Sequence, residues 1–426
     1  MKIVKVNKSN YEELVEKMLN REEDSFEKID SIVSEIISEV RKNGDGALIN
    51  YTEKFDKVKL NSIKVTDEEI KEAVNEVGED FIRILNRAKD NITRYHEKQV
   101  EKSWMTNEGQ SSILGQVVTP IERVGIYVPG GKAAYPSTVL MDAVPAIVAG
   151  VKSIAMVTPP LESGKVNPYI LASAYVAGVN EIYKVGGAQA VAALAYGTNT
   201  IKPVYKIVGP GNIFVARAKR MVFGKVGIDM IAGPSEICII ADKGNEKIIA
   251  ADLLSQAEHD EMAACVLVTT SSDLAEKVSK EVDVQINNLP KSSIAKSAIE
   301  NQSAIFLVDS LDEAFDVVNQ VAPEHLEVSV DNPFQYLPKI KNAGAIFIGE
   351  YSPEPLGDYF AGPNHTLPTS GTARFSSPLG VHDYVKKSSL IYYSKEDLKT
   401  VKDDIITFAE NEGLTAHANS IRVRFE

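Results

Sequence analysis

The sequence predicts an α/β protein with two mostly parallel sheets, and three observations carry that expectation. The first hundred or so residues repeat apolar side chains at helical spacing. From Val124 the rhythm changes to short β-branched runs, each followed by Gly or Pro and then a helical pattern, the signature of βαβ units. The pattern resumes after Gly233-Pro234-Ser235, so a second sheet is expected beyond it.

Ile29, Val33, Ile36, Ile37 and Val40 form one helical stripe that stops at Asn43-Gly44; Phe81, Leu85, Ala88, Ile92 and Tyr95 form another. Both look like scaffolding, and His96 reads as a polar flank of the second. Val124–Val128 then runs into Pro129-Gly130-Gly131, Glu181–Val185 into Gly186-Gly187, and Tyr205–Val208 into Gly209-Pro210-Gly211, with Ser153–Val157 as a further strand. In the second half Ile237–Ala241, Cys265–Thr269, Ala304–Val308 and Ala345–Ile348 read as buried strands separated by helical stretches such as Lys247–Glu258 and Asp312–Val321. That half is modest alone and is expected to borrow strands or helices from before residue 127. The expected organisation is an arm (1–25), one α/β domain (26–126 plus 237–378), a second (127–236) and a mostly helical tail (379–426).

With 426 residues, 44% hydrophobic and 25% charged, the chain has the size for two domains with real cores. A net charge of −13 argues against nucleic acid or an anionic membrane as partner, leaving a small molecule. The N-terminus has no apolar run of signal-peptide length, and no window approaches about eighteen continuous apolar residues. Cys238 and Cys265 fall in apolar, strand-like runs and read as small buried hydrophobes rather than a disulfide framework, so a reducing cytoplasm is expected.

Four of the six histidines fall within four polar segments of the second half: Ser255–Asp260, Ala322–Glu327, Gly357–His365 and Glu412–His417. Imidazole with carboxylate serves either metal ligation or proton transfer near neutral pH. Gln256 and His259 are three apart at a predicted helix end and face the same way, either as metal donors or as an ordinary structural pair. With Asp358 and His417 they make a thiolate-free N/O set suited to Zn²⁺ or a neighbouring divalent ion, and an amide among the ligands points to a catalytic rather than structural site. Glu324-His325 follows Pro323 at a predicted helix-to-strand junction, either a surface turn or a pair that activates water and takes a proton from an alcohol. The three Gly-rich loops either make tight βα turns or aim helix N-termini at a nucleotide pyrophosphate. None is a G-x-G-x-x-G.

Taken together, nine ordered motifs resemble the histidinol dehydrogenase family along essentially the whole chain. They are Val128-Pro129-Gly130-Gly131-Lys132-Ala133, Gly186-Gly187-Ala188-Gln189-Ala190, Gly209-Pro210-Gly211-Asn212, Gly233-Pro234-Ser235-Glu236, Leu254–His259, Pro323–Glu327, Gly357-Asp358-Tyr359, Gly362–Thr369 and Glu412–His417. The resemblance implies two incomplete Rossmann-like parallel-sheet domains with helical N- and C-terminal extensions. It implies oxidation of L-histidinol to L-histidine through L-histidinaldehyde by a homodimer with one zinc per subunit and two NAD⁺ per turnover, ending histidine biosynthesis. On the matching positions, Gln256, His259, Asp358 and His417 would hold zinc. Glu324 and His325 would be the acid-base pair, and Ser235, Gln256, His259, His325, Asp358, His365, Glu412 and His417 would surround the substrate. Tyr127, Gln189 and Asn212 would contact NAD. The segment with Glu412 and His417 would complete the partner's site. Two rival classes remain at this point: a zinc hydrolase, which needs no NAD⁺, and a non-catalytic descendant, against which the Glu324/His325 pair argues.

Overall fold

A computed structural model of the chain describes residues 1–7, 10, 26–107, 111–130 and 135–426. Part of the expected N-terminal arm and Gly131-Lys132-Ala133 of the first Gly-rich motif therefore lie outside the described residues. The chain divides into a large unit, 1–99 with 122–384, and a small one, 100–121 with 385–426.

The large unit holds two parallel sheets. One has five strands in the order β6-β5-β4-β7-β8: β4 Arg123–Tyr127, β5 Ser153–Thr158, β6 Glu181–Lys184, β7 Lys206–Val208 and β8 Gly227–Ile228. The other has six in the order β1-β11-β10-β9-β12-β13: β1 Lys2–Lys5, β9 Glu236–Ala241, β10 Ala264–Thr269, β11 Ala304–Leu307, β12 His325–Ser329 and β13 Ala345–Ile348. The near-continuous apolar runs of β9 and β10 follow from this placement, because helices cover both faces of a parallel sheet. One face of the six-stranded sheet buries Ile237, Ile239 and Leu267, the other Cys238, Ile240 and Val268.

The borrowing from before residue 127 occurs. The early segment that joins the six-stranded sheet is β1, paired residue for residue with β11. Helix α1 (Phe26–Asn43) instead buries Val33, Ile36, Ile37 and Val40 in the core of the five-stranded half, with Ala188, Leu194 and Val215. Helices α2 (Asp45–Asp56) and α3 (Asp67–His96) follow it; α3 starts on a Thr66/Glu69 capping box and buries Leu85, Ala88 and Ile92. His96 is not a flank. It is fully buried, with Nδ1 2.8 Å from the Ile92 carbonyl.

Helices α4 (Pro136–Ala149), α5 (Pro168–Ala177), α6 (Gly187–Tyr196) and α7 (Ile213–Val222) alternate with the strands of the five-stranded sheet. Helices α8 (Glu246–Ala257), α9 (Ser272–Gln285), α10 (Ser292–Asn301) and α11 (Leu311–Val321) do so in the six-stranded one. In the small unit the tail is only partly helical. Strand β14 (Val385–Tyr392) pairs antiparallel with β3 (Ile113–Pro120), which also pairs with β2 (Trp104–Asn107), before helices α12 (Lys395–Asn411) and α13 (Thr415–Arg422).

Candidate functional site

The Glu324/His325 pair sits where a helix hands over to a strand. Helix α11 ends at Ala322 in the left-handed conformation (φ 49°), and β12 begins at His325 in register with Ile237 and Ala345. A helix-to-strand junction in a parallel sheet lies at the amino edge, opposite the edge at which βα loops usually bind ligands. The Gly-rich loops after β4, β6 and β7 do occupy the carboxyl edge of the other sheet.

Burial and one backbone unit orient the pair. Glu324 and His325 are 7% and 3% exposed. The Glu236 amide donates to Glu324 Oε2 (2.9 Å), and the Glu236 carbonyl lies 3.0 Å from His325 Nδ1. A carbonyl only accepts, so Nδ1 carries a hydrogen in either charge state and Nε2 is the nitrogen that gains or loses the titrating proton. Nε2 is buried without a hydrogen-bond partner; Asp358 Oδ1, at 3.6 Å, is within ion-pair distance only. Burial pushes the Glu324 carboxyl up to about 8. Burial opposes charge on His325, but the carboxylates of Glu324, Asp358 and Glu354 outweigh it and raise the imidazole to about 10.

Gln256 ends helix α8, and the chain turns so that its Nε2 lies 3.3 Å from His259 Nδ1. Gln256 is wholly buried, yet Oε1 has no partner. Asp358 is the second residue of a π-helical turn, Gly357–Ala361, that follows the helical turn Glu354–Leu356. Burial alone would raise Asp358; His325, His365 and His259 together hold it below its usual range. An unpartnered buried amide oxygen beside an imidazole, with a carboxylate coupled to that imidazole, fits a bound divalent cation. His325, Glu354 and Asp358 form an overlapping set whose ligand atoms all lie within 4.8 Å of one another. The orphaned Gln256 oxygen favours the first set, which leaves His325 free.

His365 touches this cluster through Nδ1, 3.1 Å from the Asp358 carbonyl, and through Nε2, 3.1 Å from Thr138 Oγ1. Ser235, half-buried, directly precedes Glu236 and accepts the Ala264 amide at 3.0 Å. Glu412 and His417 belong to the small unit, both exposed, on either side of the turn between α12 and α13. At the carboxyl edge of the five-stranded sheet, Tyr127 is buried and its hydroxyl accepts the Gly187 amide at 3.0 Å. Gln189 is buried with Oε1 unpartnered, and exposed Asn212 caps α7 through the Val215 amide.

Sequence reasoning missed three acids beside the site, Glu354 and Glu327 buried and Asp252 partly so. Glu354 is 2% exposed, accepts from Ser255 Oγ at 3.0 Å, and donates its amide to Glu327 Oε1 at 2.8 Å. Burial pushes Glu354 up to about 7, Glu327 to about 8 and Asp252 to about 6. Only Glu327 lay in a quoted motif. Within Tyr351-Ser352-Pro353-Glu354-Pro355 no local signal marks the glutamate as buried.

A family model for histidinol dehydrogenase matches residues 19–425. The chain is 61% identical to the histidinol dehydrogenase of Clostridium acetobutylicum, over 92% of this chain and 91% of that one. It is 54% identical to that of Lactococcus lactis subsp. lactis, over 97% of each. It superposes on the crystal structure of histidinol dehydrogenase from Elizabethkingia anophelis with a TM-score of 0.94, at 38% identity, covering all of this chain and 98% of the other.

Proposed function

The chain belongs to the histidinol dehydrogenase family of oxidoreductases, and from that premise we propose zinc-dependent, NAD-linked, four-electron oxidation of L-histidinol to L-histidine via L-histidinaldehyde. The observation that carries this reading is the Glu236 peptide unit. Its carbonyl fixes the His325 tautomer and its amide holds Glu324, so a proton acceptor and a water-activating carboxyl share one orienting group.

Zinc held by Gln256, His259, Asp358 and His417 would anchor and orient the substrate, with NAD as the hydride acceptor. In its neutral form His325 takes the hydroxyl proton at Nε2 as the first hydride leaves, and the surrounding carboxylates stabilise the imidazolium that results. Glu324, whose burial makes it a stronger base than an ordinary carboxylate, activates the water that hydrates the aldehyde before the second hydride leaves. Ser235, His365 and Glu412 contact the substrate. Tyr127, Gln189 and Asn212 contact NAD, and the Tyr127 hydroxyl also sets the start of α6 through the Gly187 amide.

The working form in this proposal is a cytoplasmic homodimer in which Glu412 and His417 complete the partner's site. The small unit supports it. Among its described residues only Ser112, Gly115, Ala409 and Ala418 are buried, while Trp104, Met105, Ile391, Tyr392 and Phe408 are more than half exposed. The decisive experiment is the NADH yield from limiting L-histidinol with zinc-loaded protein and excess NAD⁺. Two NADH per histidinol is expected; one means an alcohol dehydrogenase that stops at the aldehyde, and none returns the hydrolase reading.

A further inference from the structure

Helix α4 contains a proline, Pro145, in its interior. Proline has no amide hydrogen, so the carbonyl four residues earlier, that of Met141, loses its usual helical donor. Met141 is fully buried, and an unsatisfied carbonyl there is costly. The missing donor comes from far along the chain: Asn364 Nδ2 donates to the Met141 carbonyl at 2.6 Å. The amide orientation of Asn364 is fixed independently, because its Oδ1 accepts the Thr366 amide at 2.9 Å. Asn364 is 4% exposed, so water does not compete for these bonds.

His365 lies between those two anchored residues. Its Nε2 is 3.1 Å from Thr138 Oγ1, one turn before Met141 on the same face of α4, and its Nδ1 is 3.1 Å from the Asp358 carbonyl. The Asp358 carbonyl accepts, so Nδ1 carries the hydrogen and Nε2 accepts from the Thr138 hydroxyl. The imidazole is thus a strut from α4 to the Asp358 backbone, and its foot is the stretch of helix that Pro145 modifies.

We propose that Asn364 is a positioning residue for the substrate site, docked on the carbonyl that Pro145 leaves open so that His365 and Asp358 are held in register with helix α4. The inference rests on the proposed role of His365 and Asp358 in binding histidinol. An interior proline, ordinarily a helix defect, here creates the anchoring point.

The experiment compares Asn364→Ala, Pro145→Ala and His365→Ala for thermal stability, KM for histidinol and Kd for NAD⁺. Losing the anchoring bond should raise KM for histidinol about tenfold in Asn364→Ala with NAD⁺ affinity unchanged. Pro145→Ala supplies an amide that competes for the Met141 carbonyl. It should raise KM about threefold while leaving the melting temperature equal or higher, which a merely structural proline would not do. Wild-type KM in both variants, with a raised KM in His365→Ala, overturns the positioning role alone. Wild-type KM in His365→Ala overturns the substrate role of that histidine and the inference with it. A Pro145→Ala protein that melts lower and loses NAD⁺ and histidinol binding together assigns the proline to folding and also overturns the inference.

Discussion

Glu324, His325, Gln256 and Glu354 are at most 7% exposed and sit among packed strands and helices of the large unit, whereas Glu412 and His417 of the small unit lie open to solvent. Burial lets one peptide unit choose a tautomer and lets desolvation move a carboxyl by several pH units. In the proposed mechanism the acid-base pair therefore belongs to the large unit, and the tail residues would act only once another surface takes them from water.

The largest effect expected comes from setting the two regions against each other. His417→Asn and His325→Gln should each lower histidinol oxidation by about a thousandfold or more, His417→Asn with loss of zinc and of histidinol binding. Mixed under exchange, the two inactive proteins should recover about a quarter of wild-type activity if tails are traded between protomers, because half the dimers then hold one intact site. No recovery rejects the sharing, and a full metal complement in His417→Asn rejects its place among the ligands.

Within the large unit, Glu324→Gln should slow oxidation of added histidinaldehyde by about a hundredfold or more while slowing the histidinol step far less. Equal slowing of the two would remove the division of labour between Glu324 and His325.

A smaller effect tests whether burial alone moves the acids. Glu327 is held near 8 in the native chain against about 4.5 when unfolded, so between those values the native state keeps a proton that the unfolded state releases. Its contribution to stability is therefore lost as pH rises from about 4.5 toward 8. Glutamine mimics the protonated form and still accepts the Glu354 amide, so the melting temperature of Glu327→Gln relative to wild type should climb from pH 5 to pH 8. A constant difference would place Glu327 in a more solvated setting.

The smallest signal comes from the small unit. Trp104, the one tryptophan, is 52% exposed on β2, so its emission reports on that unit alone. Emission that shifts to the blue with rising protein concentration is expected if this surface is covered on self-association. Concentration-independent emission would leave the exposed apolar surface without that partner.

The α/β class, the Gly-rich turns and the helix-to-strand position of Glu324-His325 were legible because each depends on local rhythm: β-branched runs, glycine punctuation, and apolar spacing of two or of about 3.6. The antiparallel trio was not. Val385-Lys386-Lys387-Ser388-Ser389-Leu390-Ile391-Tyr392 is mostly exposed and owes its strand to pairing with β3, so it carries no alternating signature. The pairing of α1 with the five-stranded half was hidden for a related reason. An apolar stripe states that a helix is covered, not by which sheet.

By itself the sequence determined the parallel α/β character, the ordered motifs that mark the family, and the residue types available for proton transfer and metal binding. Tertiary structure alone decided that the Glu236 peptide orients the Glu324/His325 pair, that Glu354 is buried, and that Asn364 meets Met141. Tautomer, desolvation and the partner of an open carbonyl depend on atoms distant in the chain, and only folding brings those within a few ångströms.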